Sequence, residues 1–496
     1  MGADVRTTRR WPTWAAWTVL ITGIAANIAV VWMPILRDEG GFLTMGAGMA
    51  AGGRLYVDYV EQKPPLLFGM LEWLFRLVGP SLWWARGLVR VEVGAVAALL
   101  WFLARRLGWS RPWSAALVGA FLWLDPVFLG YGPYTETIVM VAGTCTLWVL
   151  VARGDDVGVG SVFAAGLLIG VAAIGKQVGI LFAPAVGLWL FLDDLHGRRS
   201  KGAMAARLAA LAIGTAVPLA ATAAYFWRTG GLGAMVYAVV TFSLRGYQGE
   251  PFAEWLYDLA RNQLARAFVM WLPAAIIGVV ALWRFARRGE DRAMALAALM
   301  VAWSLVASLK RPYDHYVISY LPALCLVGVE GWRRWSTRVR PGLAVAAAAV
   351  LLVPTARHYV LYVGPDLAAD VLGQQIATAR HIEAFLEPGE PMYVLGGEDR
   401  YYFLTGRYRH HPPVFVVPTN RGLTPPTDLW RRMNGTPGLR YVALVEGELG
   451  AVEDIAETVR ARSRVAFRAR VGNMETVTLY RLPADWATVS LGRPPR

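Results

Sequence analysis

Residues 35–68 read ILRDEGGFLTMGAGMAAGGRLYVDYVEQKPPLLF, and the reading of this stretch decides the fold. It follows an apolar span at about 13–34 and opens on an acidic pair, Asp38-Glu39. Phe42, Met45 and Met49 then recur at helical spacing. Gly52-Gly53, Tyr56 and Asp58 follow, and the stretch ends in Gln62-Lys63-Pro64-Pro65-Leu66. Carboxylates beside a membrane helix end are costly if they point into lipid, so they are kept where they face a wet cavity or a partner. A lysine before two prolines sits on extended backbone, because proline disfavours the α region in the preceding residue. That arrangement suits a fixed positive charge for a phosphate. The other reading is an ordinary solvated external loop, and the stretch alone leaves both open.

Composition places the stretch in a membrane protein. The chain has 496 residues, of which 56% are hydrophobic, against about 45–50% in an average soluble domain. Its mean hydropathy is +0.41. Apolar windows of about 20 residues recur from residue 13 to about 360, each long enough for a hydrocarbon core of about 30 Å. The formal charge of +14 comes almost wholly from arginine, since lysine occurs only at Lys63, Lys176, Lys201 and Lys310. The arginines cluster between apolar spans, which fits membrane orientation better than nucleic-acid binding. Cys145 and Cys325 both lie in apolar spans and read as small hydrophobes, not as a disulfide or metal site. With Arg6, Arg9 and Arg10 before it and no clear small-residue cleavage site after it, the first span reads as a retained helix.

The pattern predicts eleven spans, near 13–34, 82–104, 113–129, 136–152, 159–175, 177–192, 208–227, 264–283, 293–309, 316–331 and 343–360. Residues 64–79 read as a short re-entrant or interfacial helix. Putting the N-terminal arginines inside the cell leaves every strongly basic loop inside. Lys63, Lys176 and Lys310 then fall outside, against the orientation bias, and binding an anion at the outer face is one reason to keep them there. Lys176 sits in a tight turn between two spans. Lys310, Arg311, Asp314, His315 and Tyr316 form a second polar concentration, in which Arg311 could fork a phosphate and His315 or Tyr316 could donate to a leaving oxygen. An aromatic belt with an Arg–Asp pair explains that segment equally simply. From about 361 the pattern becomes soluble α/β, with a helix over 366–386, strands at 391–397, 414–418 and 441–447, a helix over 450–463 and a terminal strand within 469–482. Gly396-Gly397 follows a strand, but no nucleotide-binding glycine motif accompanies it.

The order Asp38-Glu39-Gly40, Gly53-x-x-Tyr56-x-Asp58, Lys63-Pro-Pro-Leu after one span resembles the first external loop of the GT-C fold glycosyltransferases. Protein O-mannosyltransferases and lipid A aminoarabinose transferases are the groups it is most similar to. Tyr134 to Thr137 (YTET), the Gly175-Lys176 turn, His315-Tyr316 with Leu321-Pro322, and the 393–408 stretch extend the likeness over the membrane part and the start of the soluble region. The resemblance implies a transmembrane GT-C unit over 1–360, with its first external loop at 35–80, and an extracytoplasmic α/β domain over 361–496 that serves as a lid or acceptor module. It implies a multi-pass protein of the inner or plasma membrane that takes a sugar from a polyprenyl-phosphate carrier at the outer face. The acceptor, an envelope glycan, lipid or protein, attacks the anomeric carbon with inversion. On that pattern Asp38 is the general base and Glu39 orients the loop or acceptor. Lys63 binds the donor phosphate, joined by Arg311, His315, Tyr316 and Lys176. Asp58, Tyr56 and Glu136 serve the acceptor or the loop. Aminoarabinose transferases carry a metal-holding Glu just before the lysine; Gln62 stands there and is a poor ligand, which argues against a divalent metal. No other cofactor is implied, and no β-trefoil domain of the O-mannosyltransferase type is visible. The rival readings are a transporter or flippase of lipid-linked sugars and a non-enzymatic envelope protein. The sequence has no matching broken-helix halves of the kind that favour a transporter.

Overall fold

A computed structural model gives the fold. It describes residues 13–489 apart from 60, 155–156, 198, 247–248, 250, 338–352, 354, 397–398, 411–425, 447–448, 450–451 and 473–474. The N-terminal arginines, Gly397, the expected strand at 414–418 and most of the expected span at 343–360 lie outside these residues.

The chain enters through α1 (Thr13–Ala29), then α2 (Arg37–Ala50) and α3 (Leu66–Val78), which frame the quoted stretch. Then come α4 (Leu82–Arg106), α5 (Arg111–Leu124), α6 (Thr135–Val151), α7 (Val159–Gly175), α8 (Phe182–His196) and α9 (Lys201–Arg228). Short α10 (Leu232–Val236), a π-helical segment (Tyr237–Gly246) and α11 (Phe252–Asp258) lead to α12 (Phe268–Arg288), α13 (Arg292–Ser304) and α14 (Leu321–Ser336). Among the described residues, five helical stretches are long and apolar enough to cross a membrane, and four shorter apolar helices accompany them.

Small residues set the closest helix contact. On α7, Gly166 and Gly170 lie one turn apart and meet Gly214 and its neighbours on α9. A Cβ on Gly166 would stand 2.5 Å from the Leu211 carbonyl oxygen, and one on Gly214 would stand 2.4 Å from that of Phe163. Such small-residue seams let two backbones approach where lipid offers no hydrophobic drive to pair them. The α3 helix buries Leu67, Phe68, Leu71 and Phe75 and leaves Trp73 and Leu77 exposed, an amphipathic helix lying against α2.

After α14 the described chain forms a four-stranded sheet of order β1-β2-β4-β3, from β1 (Met392–Leu395), β2 (Tyr441–Glu446), β3 (Arg464–Val471) and β4 (Glu475–Arg481). β1 and β2 run parallel; the other two pairs are antiparallel. The expected single terminal strand within 469–482 is in fact the end of β3 and all of β4, a hairpin with a register shift between Val465 and Phe467. Strand β3 escaped the sequence reading because its alternating Arg464, Arg468 and Arg470 give it a largely exposed face at the sheet edge. The expected helix over 366–386 is mainly Val371–Glu383.

This sheet unit docks onto α2. Gly40 lies so close to the backbone of Arg400 that a Cβ there would stand 2.6 Å from its nitrogen. Thr44 donates to the Asp399 carbonyl at 2.9 Å, and the Ile35 amide donates to Gln375 at 2.8 Å. Arg400 bonds the Ile35 carbonyl and pairs with Glu475 at 2.6 Å.

The other side of α2 is pinned by a buried pair. Arg86 of α4 gives Nε and Nη2 to the Glu39 carboxylate, both at 2.7 Å, and both side chains are fully buried. Its other bonds go to the carbonyls of Val31, Met33 and Pro34, so all three guanidinium nitrogens are engaged. Breaking one side of a buried pair costs about 3–5 kcal/mol. Arg86→Met is therefore expected to lower the thermal midpoint of the detergent-solubilised protein sharply, and Glu39→Gln less so. An unchanged midpoint for Arg86→Met would show that α2 is held by other contacts.

Candidate functional site

Three segments converge beside α2. Its first turn carries Asp38, the 54–65 loop brings Lys63, and the opposite wall comes from the start of α6, the end of α7 and the turn leading into α14. Lys63 Nζ lies 3.6 Å from Asp38 Oδ2 and 3.9 Å from Glu61 Oε1, and stands over the Phe42 ring at 4.5 Å. The loop is held from behind: Tyr56, itself at φ 63°, donates to the Lys63 carbonyl at 2.8 Å. Tyr59 packs so tightly on α2 that a Cβ on Gly48 would overlap its ring. Asp58 accepts from the Arg54 amide at 2.8 Å.

The second half of the cluster is as charged. Lys176 and Glu136 form a buried ion pair, and Lys176 Nζ sits 3.6 Å from the centre of the Tyr316 ring. His315 Nε2 approaches Glu136 at 3.5 Å and its Nδ1 approaches Asp314 at 3.4 Å. Asp314 in turn pairs with Arg266 at 2.8 Å. The His315 ring is stacked between Tyr134 and Tyr313, which fixes its plane. A cavity of about 10 Å³, room for about one water, lies beside Lys176, Tyr316 and Ser319.

Electrostatics follow from burial and alternation of sign. Burial alone would lower the Lys63 ammonium's pKa; Asp38 first, then Glu61, outweigh it and hold the pKa above that of an ordinary lysine. Lys63 therefore stays charged at neutral pH. Burial pushes the Glu61 carboxyl up, opposed by Lys63.

Several expected site residues gather here: Asp38, Lys63, Glu136, Lys176, His315 and Tyr316 stand within one continuous charged cluster. Others stand apart. Glu39 faces Arg86, away from Lys63. Asp58 is half exposed and belongs to its own turn with Arg54, and Tyr56 supports the loop backbone. Arg311 bonds the Tyr313 hydroxyl at 3.2 Å, and Lys310 donates to the carbonyls of Ser243 and Leu244 at 2.9 Å each. Lys176 is buried, not exposed in its turn, because it lies against Glu136 of α6 and the Tyr316 ring of the 314–320 segment. Cys145 is half-buried and Cys325 buried, both free thiols.

Two contributors were missed in the sequence. Glu61, one place before Gln62, belongs to no local motif, and only the fold of the 54–65 loop brings it to Lys63. Arg86 is a cation within an apolar span, a signal that a carboxylate partner must lie nearby. Among the described residues, no group of three or more His, Cys, Asp or Glu side chains is arranged to hold a metal ion.

The fold is the GT-C fold of solved membrane proteins, and among the described residues five helical stretches are long and apolar enough to cross a membrane. The similar solved structures include ArnT from Cupriavidus metallidurans bound to undecaprenyl phosphate. It has 16% identity and a TM-score of 0.62, over 96% of this chain and 99% of that one. The apo state of the same protein gives 19% identity and a TM-score of 0.61, over 97% and 100%. A weaker likeness, TM-score 0.49 at 10% identity, covers 87% of this chain and 69% of the Archaeoglobus fulgidus oligosaccharyltransferase in its apo form. No protein-family model and no curated protein sequence matches the chain.

The tight seat of Tyr59 on α2 gives a test of loop positioning that touches no charge. Gly48→Ala is expected to displace that ring and loosen the 54–63 loop, costing about 1–3 kcal/mol of stability. Faster limited proteolysis within 54–63 would record it; unchanged cleavage would mean that the loop is fixed independently of Tyr59.

Proposed function

We propose that this protein is a membrane glycosyltransferase that moves a sugar from a polyprenyl-phosphate carrier to an acceptor of the cell envelope, with inversion, at the extracytoplasmic face. The observation that carries this reading is the Asp38–Lys63 contact at 3.6 Å, a proton acceptor beside a fixed cation at the mouth of a buried charged cluster. The fold shared with a protein solved with undecaprenyl phosphate supports the donor class.

The arrangement suits the chemistry step by step. Lys63 takes the donor phosphate and offsets charge on the leaving phosphate as the glycosidic bond breaks. In the free protein the same lysine is held by Asp38 and Glu61. An arriving phosphate draws Lys63 toward itself and leaves the Asp38 carboxylate open to the acceptor hydroxyl. That hydroxyl attacks the anomeric carbon from the face opposite the phosphate, and Asp38 accepts its proton. Lys176, held by Glu136, and His315, held by Asp314 and the flanking tyrosines, line a second wall of hydrogen-bond donors for the phosphate. Glu39 serves by position: it fixes α2 so that Asp38 meets the lysine. The four-stranded unit, docked on α2, covers the helix that carries the base and stands as a lid.

The direct test incubates the purified protein with a panel of polyprenyl-phosphate sugars and follows released carrier and product by mass spectrometry. Sugar transfer from at least one donor is expected; no turnover of any donor, with donor binding absent too, would sink the reading. Asp38→Asn is expected to lower transfer by about 10²–10⁴-fold with unchanged expression. Lys63→Ala is expected to weaken donor binding by about 1.5–3 kcal/mol, roughly 10- to 150-fold in Kd. Unchanged donor affinity in that variant would remove the phosphate role.

A further inference from the structure

At the far end of the bundle lies a second charged concavity that the proposed reaction does not use. The cluster at Lys63 meets the start of α6 and the turn before α14, whereas this cavity lies at the end of α6, the start of α13 and the end of α14. Along α6 the two are separated by some fifteen residues, about 22 Å at 1.5 Å per residue. Its volume is about 360 Å³, within the range of small-ligand sites.

One wall is cationic. Arg292, Arg333 and Arg334 line it with Asp291 and Glu330, so the lining carries three positive charges against two negative ones. The carboxylates hold the guanidinium groups in place. Glu330 receives Arg333 at 2.6 and 2.8 Å and Arg334 at 2.6 Å, while Asp291 receives Arg334 at 3.0 and 3.2 Å. Arg284 reaches Asp291 at 3.0 Å from outside, and Asp193 holds Arg292 at 2.7 Å. Arg333 spends Nε and Nη2 on Glu330; its Nη1 has no hydrogen-bond partner among the described residues, and the side chain is 37% exposed. The other wall is apolar and aromatic. Trp109 lies under Arg333 at 5.6 Å and Trp189 under Arg292 at 5.5 Å, with Leu107, Leu150 and Met294 beside them.

We propose that this cavity is a second anion site that takes a phosphate group, with the headgroup of an anionic phospholipid as its natural carrier. The Arg333 guanidinium, held rigid by Glu330 with Nη1 left over, presents a directed donor to a phosphate oxygen at little entropic cost, and Arg334 and Arg292 add positive charge beside it. The aromatic and aliphatic wall matches the glycerol and first methylenes of a lipid, and tryptophan is favoured at the depth of the headgroups. The bundle end is also the basic one, carrying Arg105, Arg106, Arg287 and Arg288, where anionic headgroups bind between helices. A lipid wedged there would tie the end of α14 to the ends of α4 and α6, and so support the helices whose other ends form the charged cluster.

Native mass spectrometry of the full chain released from detergent tests this with three probes: short-chain phosphatidylglycerol, phosphatidylcholine and inorganic phosphate. Retention of phosphatidylglycerol over phosphatidylcholine is expected, with at least a tenfold loss of that retention in Arg333→Gln. Leu107→Trp, which fills the cavity from its wall without altering charge, is expected to show the same loss. A thermal melt of each variant confirms folding, so a loss in either folded variant supports the site. Inorganic phosphate held as well as the lipid, and lost in the same variants, would assign the free anion to the same site. Equal retention of the two lipids, or full retention in both folded variants, would overturn the proposal. Transfer by the Asp38–Lys63 cluster is read separately in the donor assay, so failure of one leaves the other standing.

Discussion

The structure depends on the buried Glu39–Arg86 pair. A carboxylate and a guanidinium that are both fully buried cannot tolerate a change of register, because each loses its charged partner after leaving water. The pair therefore fixes the rotation of α2 about its own axis. Successive residues on a helix point about 100° apart, so with Glu39 committed to α4, Asp38 must emerge on a different side. That side is where the 54–65 loop delivers Lys63. The acidic pair at the start of the helix also sits where the helix dipole favours negative charge, which suits both carboxylates to the first turn.

Around this pair the site is built by alternation of charge. Lys63 lies between Asp38 and Glu61, and Glu136 lies between Lys176 and His315, with Asp314 behind the histidine and Arg266 behind that. Each carboxylate of the cluster stands beside a basic side chain, the condition under which ionised groups persist away from water. The result is a cluster that is charged yet nearly balanced, so an incoming anion can be accommodated by rearranging pairs without exposing an isolated cation. The aromatic rings of Phe42, Tyr134, Tyr313 and Tyr316 keep the cations and the imidazole from spreading. The four-stranded unit is part of this construction, because Gly40 and Thr44 of α2 touch Arg400 and Asp399 directly. Its docking holds the same helix on a different face from Arg86.

Much of this could be read from the residues. Hydrophobic windows marked the membrane helices, since a segment that must bury itself in hydrocarbon has little freedom of composition. The Asp38-Glu39 and Lys63-Pro64-Pro65 motifs located the charged loop, because charge beside lipid and a lysine held by prolines both need a reason. Where the reading fell short, the cause was pairing at a distance. Arg86 and Glu39 stand 47 positions apart, and Lys176 and Glu136 stand 40 apart, so neither partner announces the other locally. Lys176 looked like a lone lysine in an outer turn until the packing of α6 against α7 covered it. Strand β3 was hidden by its exposed arginines, which a sheet edge permits and a sequence window reads as polar loop.

The sequence by itself determined that this chain is a bundle of apolar helices followed by a segment of strands and helices, and that charged residues concentrate in the first polar loop. It did so because solvent chooses composition one residue at a time, and because proline and glycine act on their own backbone. Only the tertiary structure decided which of the many charges meet. Arg86 took Glu39, Lys63 took Asp38 and Glu61, and Lys176 took Glu136, while Asp58 was left to neighbouring Arg54 and Lys310 to the distant carbonyls of Ser243 and Leu244. A charge's partner is set by where helices cross, and that depends on the summed packing of the whole bundle, which no short stretch contains.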